Sequence, residues 1–321
     1  MPTDVELNKW IDQLQSSSQD DRLVAVKTLQ HLGDDAAIDA LIIALKDNSP
    51  AVQKIAITAV WELANPVAVT PLLDCLASPE AEIRSEAAAA LSELITTAHL
   101  LLLLEKLQQD DINVQLAVLT LLRKIHDVQS LPALLSFFES PYAQLREAAI
   151  VTLRYLNQVK HCPPALVLIH DTDETVRRSA ALTLGHLTDA EVIPLLTQAL
   201  TDPDWQVRRN AAKSLAVHSS PNALPDLLSS LNDDHWQVRK FALQALQQIP
   251  NPQLLPDVIK TLADEAPDVR KEAAIALGNL GHPNALNALQ QALDDPDRDV
   301  CIYAQRAIQK IQANFSLCDQ L

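Results

Sequence analysis

The stretch ALTDPDWQVRRNAAKSLA, residues 199–216, decides the fold, because its pattern returns along the whole chain. Its second half matches TVRRSAALTLG, QVRKFALQALQ and DVRKEAAIALG. The reference arginines of the four segments are Arg177, Arg208, Arg239 and Arg270, spaced 31 residues apart. Stepping back by 31 residues lands on Arg146, Gln115, Arg84, Gln53 and Arg22, and one step forward lands on Cys301. These are ten copies with no insertion or deletion.

The columns of this alignment carry the physics. Three residues after the reference stand Ala25, Ala56, Ala87, Val118, Ala149, Ala180, Ala211, Ala242, Ala273 and Ala304. Seven residues after it stand Leu29, Val60, Leu91, Leu122, Leu153, Leu184, Leu215, Leu246, Leu277 and Ile308. The residue just before it is aliphatic except at Asp21. Offsets of −1, +3 and +7 trace one face of a helix, on which the small residue admits a neighbour and the Leu fills the space behind it. A second, earlier helix is marked by anchors such as Leu196/Leu200, Leu227/Leu231 and Leu289/Leu293. Pro132, Pro163, Pro194, Pro225 and Pro256 mark where that helix begins, a place where a missing N–H has no intrahelical partner. Asp171, Asp202, Asp233, Asp264 and Asp295 sit in the turn between the two helices, where a carboxylate suits the following N-terminus as cap and dipole partner.

The sequence therefore predicts an all-α protein, an α-solenoid of about ten 31-residue helical hairpins forming one domain over residues 1–321. One buried Leu contributes about 1.5–3 kcal/mol, whereas ordering backbone costs about 1–2 kcal/mol per residue, so one hairpin cannot stand alone and must stack. The polar run Ser16 to Asp21 predicts a capping hairpin over about residues 1–33, and a frayed tail is expected over about 312–321.

Composition narrows the function. The 321 residues carry 25 Lys+Arg against 41 Asp+Glu, a formal net charge of −16, which repels phosphate backbones and argues against nucleic acid as a partner. Only four glycines are present, at 33, 185, 278 and 281, so neither a P-loop nor a dinucleotide fingerprint can be written. The start, MPTDVELNKW, lacks the profile of a secretory signal, and the longest pure Leu run, Leu100–Leu104, is far short of the ~20 residues that span a bilayer. Cys75, Cys162, Cys301 and Cys318 form no CxxC pair. Together these predict a reduced, cytoplasmic protein with no membrane insertion.

With the repeat in view, 199–216 and ALDDPDRDV at 292–300 resemble HEAT repeats of the short kind named after phycobilisome lyases. The resemblance covers nearly the whole chain. It implies a scaffold that handles phycobiliproteins or their bilin chromophores in attachment, assembly or turnover, with no required cofactor beyond a bound bilin. The partners it implies are phycobiliprotein subunits or a second lyase-like HEAT subunit. If an enzyme, such a protein would be a bilin lyase acting by templating. The alternative is a general non-enzymatic HEAT adaptor, for example in iron–sulfur or other complex assembly. A di-iron hydroxylase of related build needs His-Glu pairs after the repeat arginine. Here those positions read Ser85-Glu86 and Lys271-Glu272, so no metal site is expected.

Candidate binding residues come from charge placement. Residues from 161 onward hold 13 Lys+Arg, and eight of them form the doublets Arg177-Arg178, Arg208-Arg209, Arg239-Lys240 and Arg270-Lys271. The first members, Arg177, Arg208, Arg239 and Arg270, are expected to form a structural ladder with turn carboxylates. The second members, Arg178, Arg209, Lys240 and Lys271, fall where earlier repeats carry Leu23, Lys54, Ser85, Leu116 and Glu147. The fold therefore demands no cation there, and the four form either a solvated face or a binding stripe. Trp205 and Trp236 sit in the strings DWQVRR and HWQVRK at a register filled elsewhere by Gln, Pro, Ala, Ile, Glu or Arg. Paired Trp beside Arg is the composition of an interface hot spot or a ligand platform, though Trp shielding a turn is the plainer reading. His235 is expected to cap, and Trp10 and Trp61 to pack. No catalytic residue is assigned; His161-Cys162 is the one pair with the residue types of a nucleophile and base.

Overall fold

A computed structural model describes residues 4–249 and 251–318, with side-chain surroundings over 5–249 and 251–313. Among these residues are twenty α-helices, interspersed with short 3-10 turns, and no strand. The fold is an α-solenoid of helical hairpins. Where the sequence predicts one domain, the structure divides into two compact units, Met1–Leu156 and Asn157–Leu321. The division falls at the start of 157–162, a segment without helix, whereas the segment two repeats on, 219–224, contains the 3-10 turn Pro221–Ala223.

The three predicted columns form the core. All ten residues at +3 are fully buried, and at +7 exposure nowhere exceeds the 6% of Ile308. The nine aliphatics at −1, from Val52 to Val300, are buried as well. Close helix approach explains why +8 is glycine in two repeats. A Cβ on Gly185 would lie 2.6 Å from Ser214 Oγ, and one on Gly278 would lie 2.9 Å from the Cβ of Ala307.

Each hairpin pairs a short helix with a long one, as Val192–Ala199 with Trp205–His218, or Leu224–Ser229 with Trp236–Leu246. The first helix is shorter than a full amphipathic helix because its ends tighten into 3-10 turns, Pro221–Ala223 before and Ser230–Asn232 after Leu224–Ser229. Five of the long helices are followed by left-handed backbone at one register. Gly33, Ala64, His126, Ser219 and Gly281 all have positive φ, between 50° and 67°, and each lies 11 residues after its repeat's reference. Left-handed backbone thus recurs at this place in five repeats, with glycine supplying it without strain at two of them, whereas Ile95 at the same register is extended with φ −69°.

The turn aspartates do something other than the expected capping. The carboxylate of Asp202 accepts the N–H of Asp204 at 2.8 Å, and Asp204 in turn is the cap, accepting the N–H of Val207 at 3.0 Å. Asp171, Asp233, Asp264 and Asp295 likewise accept from the residue two positions on. They lie two residues before the cap, too early to reach the helix's first N–H groups. They close the turn instead, and Asp202, Asp233, Asp264 and Asp295 each hold an arginine from the preceding repeat.

The expected capping hairpin contains the helices Asp4–Gln13 and Gln19–Leu32, with Ser18 accepting from Asp21. The tail expected to fray from 312 is helical as far as Cys318, within the helix Arg298–Cys318, and 319–321 lie outside the described residues.

Candidate functional site

The arginines at the reference register are built into the stack. Arg177 binds both carboxylate oxygens of Asp202 (2.8 and 3.1 Å), and Arg208 does the same to Asp233 (2.6 and 2.9 Å). Arg239 pairs with Asp264 and Arg270 with Asp295 in the same geometry, and Arg22 with Asp47 repeats it in the first unit. The remaining Nη1 of each donates to two carbonyls of its own turn, as Arg208 does to Asp202 (2.9 Å) and Pro203 (3.2 Å). The planar fork of Arg suits this two-sided grip, which joins a helix start to the next hairpin's turn.

At the next position the four cations differ from one another. Arg178 is bidentate to Asp204, 2.8 Å from Nε and 2.6 Å from Nη2. Lys240 reaches Asp268 at 3.0 Å, and Lys271 reaches the same oxygen at 3.1 Å. These carboxylates are held below the usual range, Asp204 by its bond from Arg178 and Asp268 by its bonds from Lys240 and Lys271. Arg209 alone among the four has amide partners only, Asn210 Oδ1 (3.0 and 3.1 Å) and Gln237 Oε1 (3.3 Å). The stripe drawn from the sequence is thus largely neutralised along its length, and Arg209 is its uncompensated member.

The aromatic residues gather at the same place. Trp205 and His235 stack with ring centroids 3.6 Å apart and planes 11° apart, and His235 lies 6.4 Å from Trp236 at 18°. Arg209 sits over the Trp205 ring at 5.3 Å, and Lys240 over Trp236 at 5.9 Å. His235 also caps its helix, accepting the N–H of Gln237 through Nδ1. All three rings are half-buried. Because each ring begins a long helix or stands one residue before one, the repeat brings rings from successive hairpins into register.

The His161-Cys162 pair is arranged against nucleophilic chemistry. Asp189 accepts the N–H of Cys162 at 3.1 Å and lies 3.6 Å from His161 Nδ1, while Cys162 itself is 3% exposed. Burial, joined by the charge of Asp189, pushes the Cys162 thiol up, away from the reactive thiolate. Among the described residues, no group of three or more His, Cys, Asp and Glu is placed to hold a metal ion, and no helix is long and apolar enough to cross a membrane.

Two features were not read from the sequence as sites. Trp61, expected to pack, is 41% exposed. Glu272 is buried, its two carboxylate oxygens accepting from Gln244 Nε2 (2.8 Å) and Gln247 Nε2 (2.7 Å). The register was the available signal for Trp61. The +8 position holds Gln30, Ser92, Arg123, Arg154, Gly185, Ala216, Gln247, Gly278 and Gln309 elsewhere, so no core requires an aromatic ring there.

This geometry defines a repeat protein whose side chains first bind its own neighbouring repeats. The family model for HEAT repeats matches residues 7–92, 70–154, 163–242 and 224–309, and the chain belongs to that family. The chain is similar over 95% of its length to an engineered protein from the Northeast Structural Genomics Consortium, with 98% of that chain covered, 22% identity and a TM-score of 0.56. It is also similar to Kap95p in a complex with RanGDP (15% identity, TM-score 0.65) and in a Kap95:Nup1 complex (16%, 0.64). In both cases 95% of this chain is covered, and the chain spans about half of the Kap95 chain, 50%. No curated protein matches the chain.

Proposed function

We propose that the chain is a protein-binding scaffold whose principal contact surface in the second unit is the Trp205–His235–Trp236 stack with Arg209 and Lys240. The observation that carries this reading is the position of Arg209. It lies over Trp205 with only amide partners, while Arg178, Lys240 and Lys271 are held by carboxylates. A cation beside a half-buried indole, short of a carboxylate, is the composition of an interface hot spot for a partner's Asp or Glu. Similar folds carrying partners in the Kap95p–RanGDP and Kap95:Nup1 complexes are in keeping with this.

The resemblance to phycobilisome-lyase HEAT repeats supports a narrower proposal, that the partner is a phycobiliprotein subunit or its bilin. A bilin's propionates are carboxylates on a flat conjugated system, and Arg209 with Lys240 could hold them beside the indoles. His235 already covers one face of Trp205, so a flat ligand would stack on an outer face of the assembly and not between the two tryptophans. Arg178 and Lys271 then serve as positioning residues, through Asp204 and Asp268.

The test is affinity capture from a phycobilisome-containing extract, wild type beside the double variant Arg209→Glu, Lys240→Glu and beside Trp205→Ala, Trp236→Ala. Each eluate is scanned for bilin absorbance and its proteins are identified by mass spectrometry. Coloured phycobiliprotein held by wild type and lost by both variants supports the narrower reading. A colourless partner lost in the same way supports the scaffold alone. A partner retained by both folded variants removes this surface.

A further inference from the structure

The first unit carries a second surface of opposite character. Trp61, at the end of the helix Pro50–Glu62, overlies the next long helix, Ala81–Leu94, along a groove of about 340 Å³. The walls are Ile57, Thr58 and Trp61 on one side and Glu86, Ala89 and Glu93 on the other. That volume is at the small end of ligand clefts, ~300–1,000 Å³, and suits one long side chain better than a folded element.

The same registers in the second unit show what is unusual. There Gln247 occupies the position of Trp61, and Glu272 that of Glu86. The Gln247 amide donates to Glu272 at 2.7 Å, accepts from Asn279 at 2.8 Å, and so seals the carboxylate beneath 6% exposure. An indole at this position offers a flat face and one N–H in place of an amide. Glu86 stays part-exposed, with Lys54 at 3.4 Å as its cation, a lysine that Glu82 also engages. Glu93 is exposed and makes no ion pair among the described residues. Lys124 donates to the carbonyl of Ser92, and Gln30 donates to Glu62 at 3.1 Å. Glu62, Glu82, Glu86 and Glu93 thus stand against Lys54 and Lys124, leaving two negative charges in excess around an exposed tryptophan.

We propose that this groove receives a lysine or arginine side chain from a basic, extended segment of a partner protein. Its aliphatic stem lies along Thr58 and the exposed Ala89, above the buried Ile57, and its charge meets the indole face and Glu93. Trp is the best aromatic partner for a cation, and a carboxylate at the end of the groove adds direction to an otherwise broad attraction. The chain's net charge of −16 makes approach of such a segment favourable before contact. This surface is independent of the Arg209 site, which selects a carboxylate.

The experiment titrates full-length protein with two short peptides, glycine-serine sequences around a single Arg or around citrulline, and follows the indole N–H resonance of Trp61, assigned with Trp61→Gln. The Gln substitution uses a residue that the register already holds at Gln30 and Gln247, so folding is checked by an unchanged melting curve. The Arg peptide should shift the Trp61 resonance and the citrulline peptide should not, and Glu93→Gln should weaken Arg binding about two- to fivefold, the range of an exposed cation–aromatic or ion-pair contact. Equal shifts with both peptides, or an affinity for the Arg peptide that calorimetry finds unaltered by Trp61→Gln, overturn the proposal. Arg209→Gln should leave the titration unchanged, which separates this surface from the other.

Discussion

The carboxylate of Asp204 does two jobs at once. It receives Nε and Nη2 of Arg178 at 2.8 and 2.6 Å, and it caps the helix Trp205–His218 through the N–H of Val207 at 3.0 Å. The guanidinium of one repeat is thereby tied to the helix start that presents Trp205 in the next. The ion pair therefore joins packing in positioning the aromatic stack.

Asp204→Ala should therefore cost stability and order together. Loss of an N-cap alone costs about 1 kcal/mol, and Arg178 would lose its carboxylate as well. The expected result in urea unfolding is a lower midpoint with an unchanged slope. The near-ultraviolet dichroism of the tryptophans should weaken beyond what Arg178→Ala alone produces.

Acid should loosen the second unit through the same groups. Asp204, Asp268 and Asp295 are held below 3.8, by bonds from Arg178, from Lys240 with Lys271, and from Arg270 respectively. A depressed folded-state pKa means that the unfolded chain takes up protons first. The stabilisation is complete above the ordinary carboxylate range and drains away as pH falls through it into the lower folded values. The urea midpoint should be flat from neutral pH to about pH 5 and fall below about pH 4. Asp204→Asn, which keeps a capping oxygen but no charge, should make that fall shallower.

Helix approach at +8 should be intolerant of a methyl group. Gly278→Ala would put a Cβ 2.9 Å from Ala307 Cβ and 3.0 Å from its Cα, so backbone has to move. Overpacking of this kind costs about 1–3 kcal/mol. Gly185→Ala meets Ser214 Oγ at 2.6 Å and Cβ at 2.9 Å, and Ser214→Gly should recover part of its cost. Chemical denaturation of the two single variants and the double variant checks both statements.

Truncating the Leu column should be felt in the global transition. Leu215 is 1% exposed, and Leu215→Ala is expected to cost about 2–5 kcal/mol, while Leu184→Asp, at a fully buried position, should prevent folding of its hairpin. Helicity by circular dichroism separates the two outcomes.

Much of this architecture was legible along the chain because its cause is periodic. A residue every 31 positions meets the same neighbours in each hairpin, so Ala180 or Leu184 reports its burial through its column. The arginine ladder followed from the same logic, since Arg208 and Asp233 recur together at one separation. The misplaced cap shows the limit: whether Asp202 or Asp204 caps depends on a turn's dihedral angles, a difference of two residues that charge pattern alone does not resolve.

The sequence by itself determined the helical hairpin, its period, its buried columns and its family, because each follows from local spacing and from burial repeated ten times. Tertiary structure alone decided which charges remain available. Arg178 and Arg209 look alike in sequence, yet one is consumed by Asp204 of the next hairpin and the other is left to amides above Trp205. Trp61 and Gln247 occupy the same register, yet one lines an open groove and the other seals a carboxylate. Side-chain partnership between successive helices turns on distances of a few ångströms in three dimensions, and hydrogen bonds and ion pairs fall off steeply over that range.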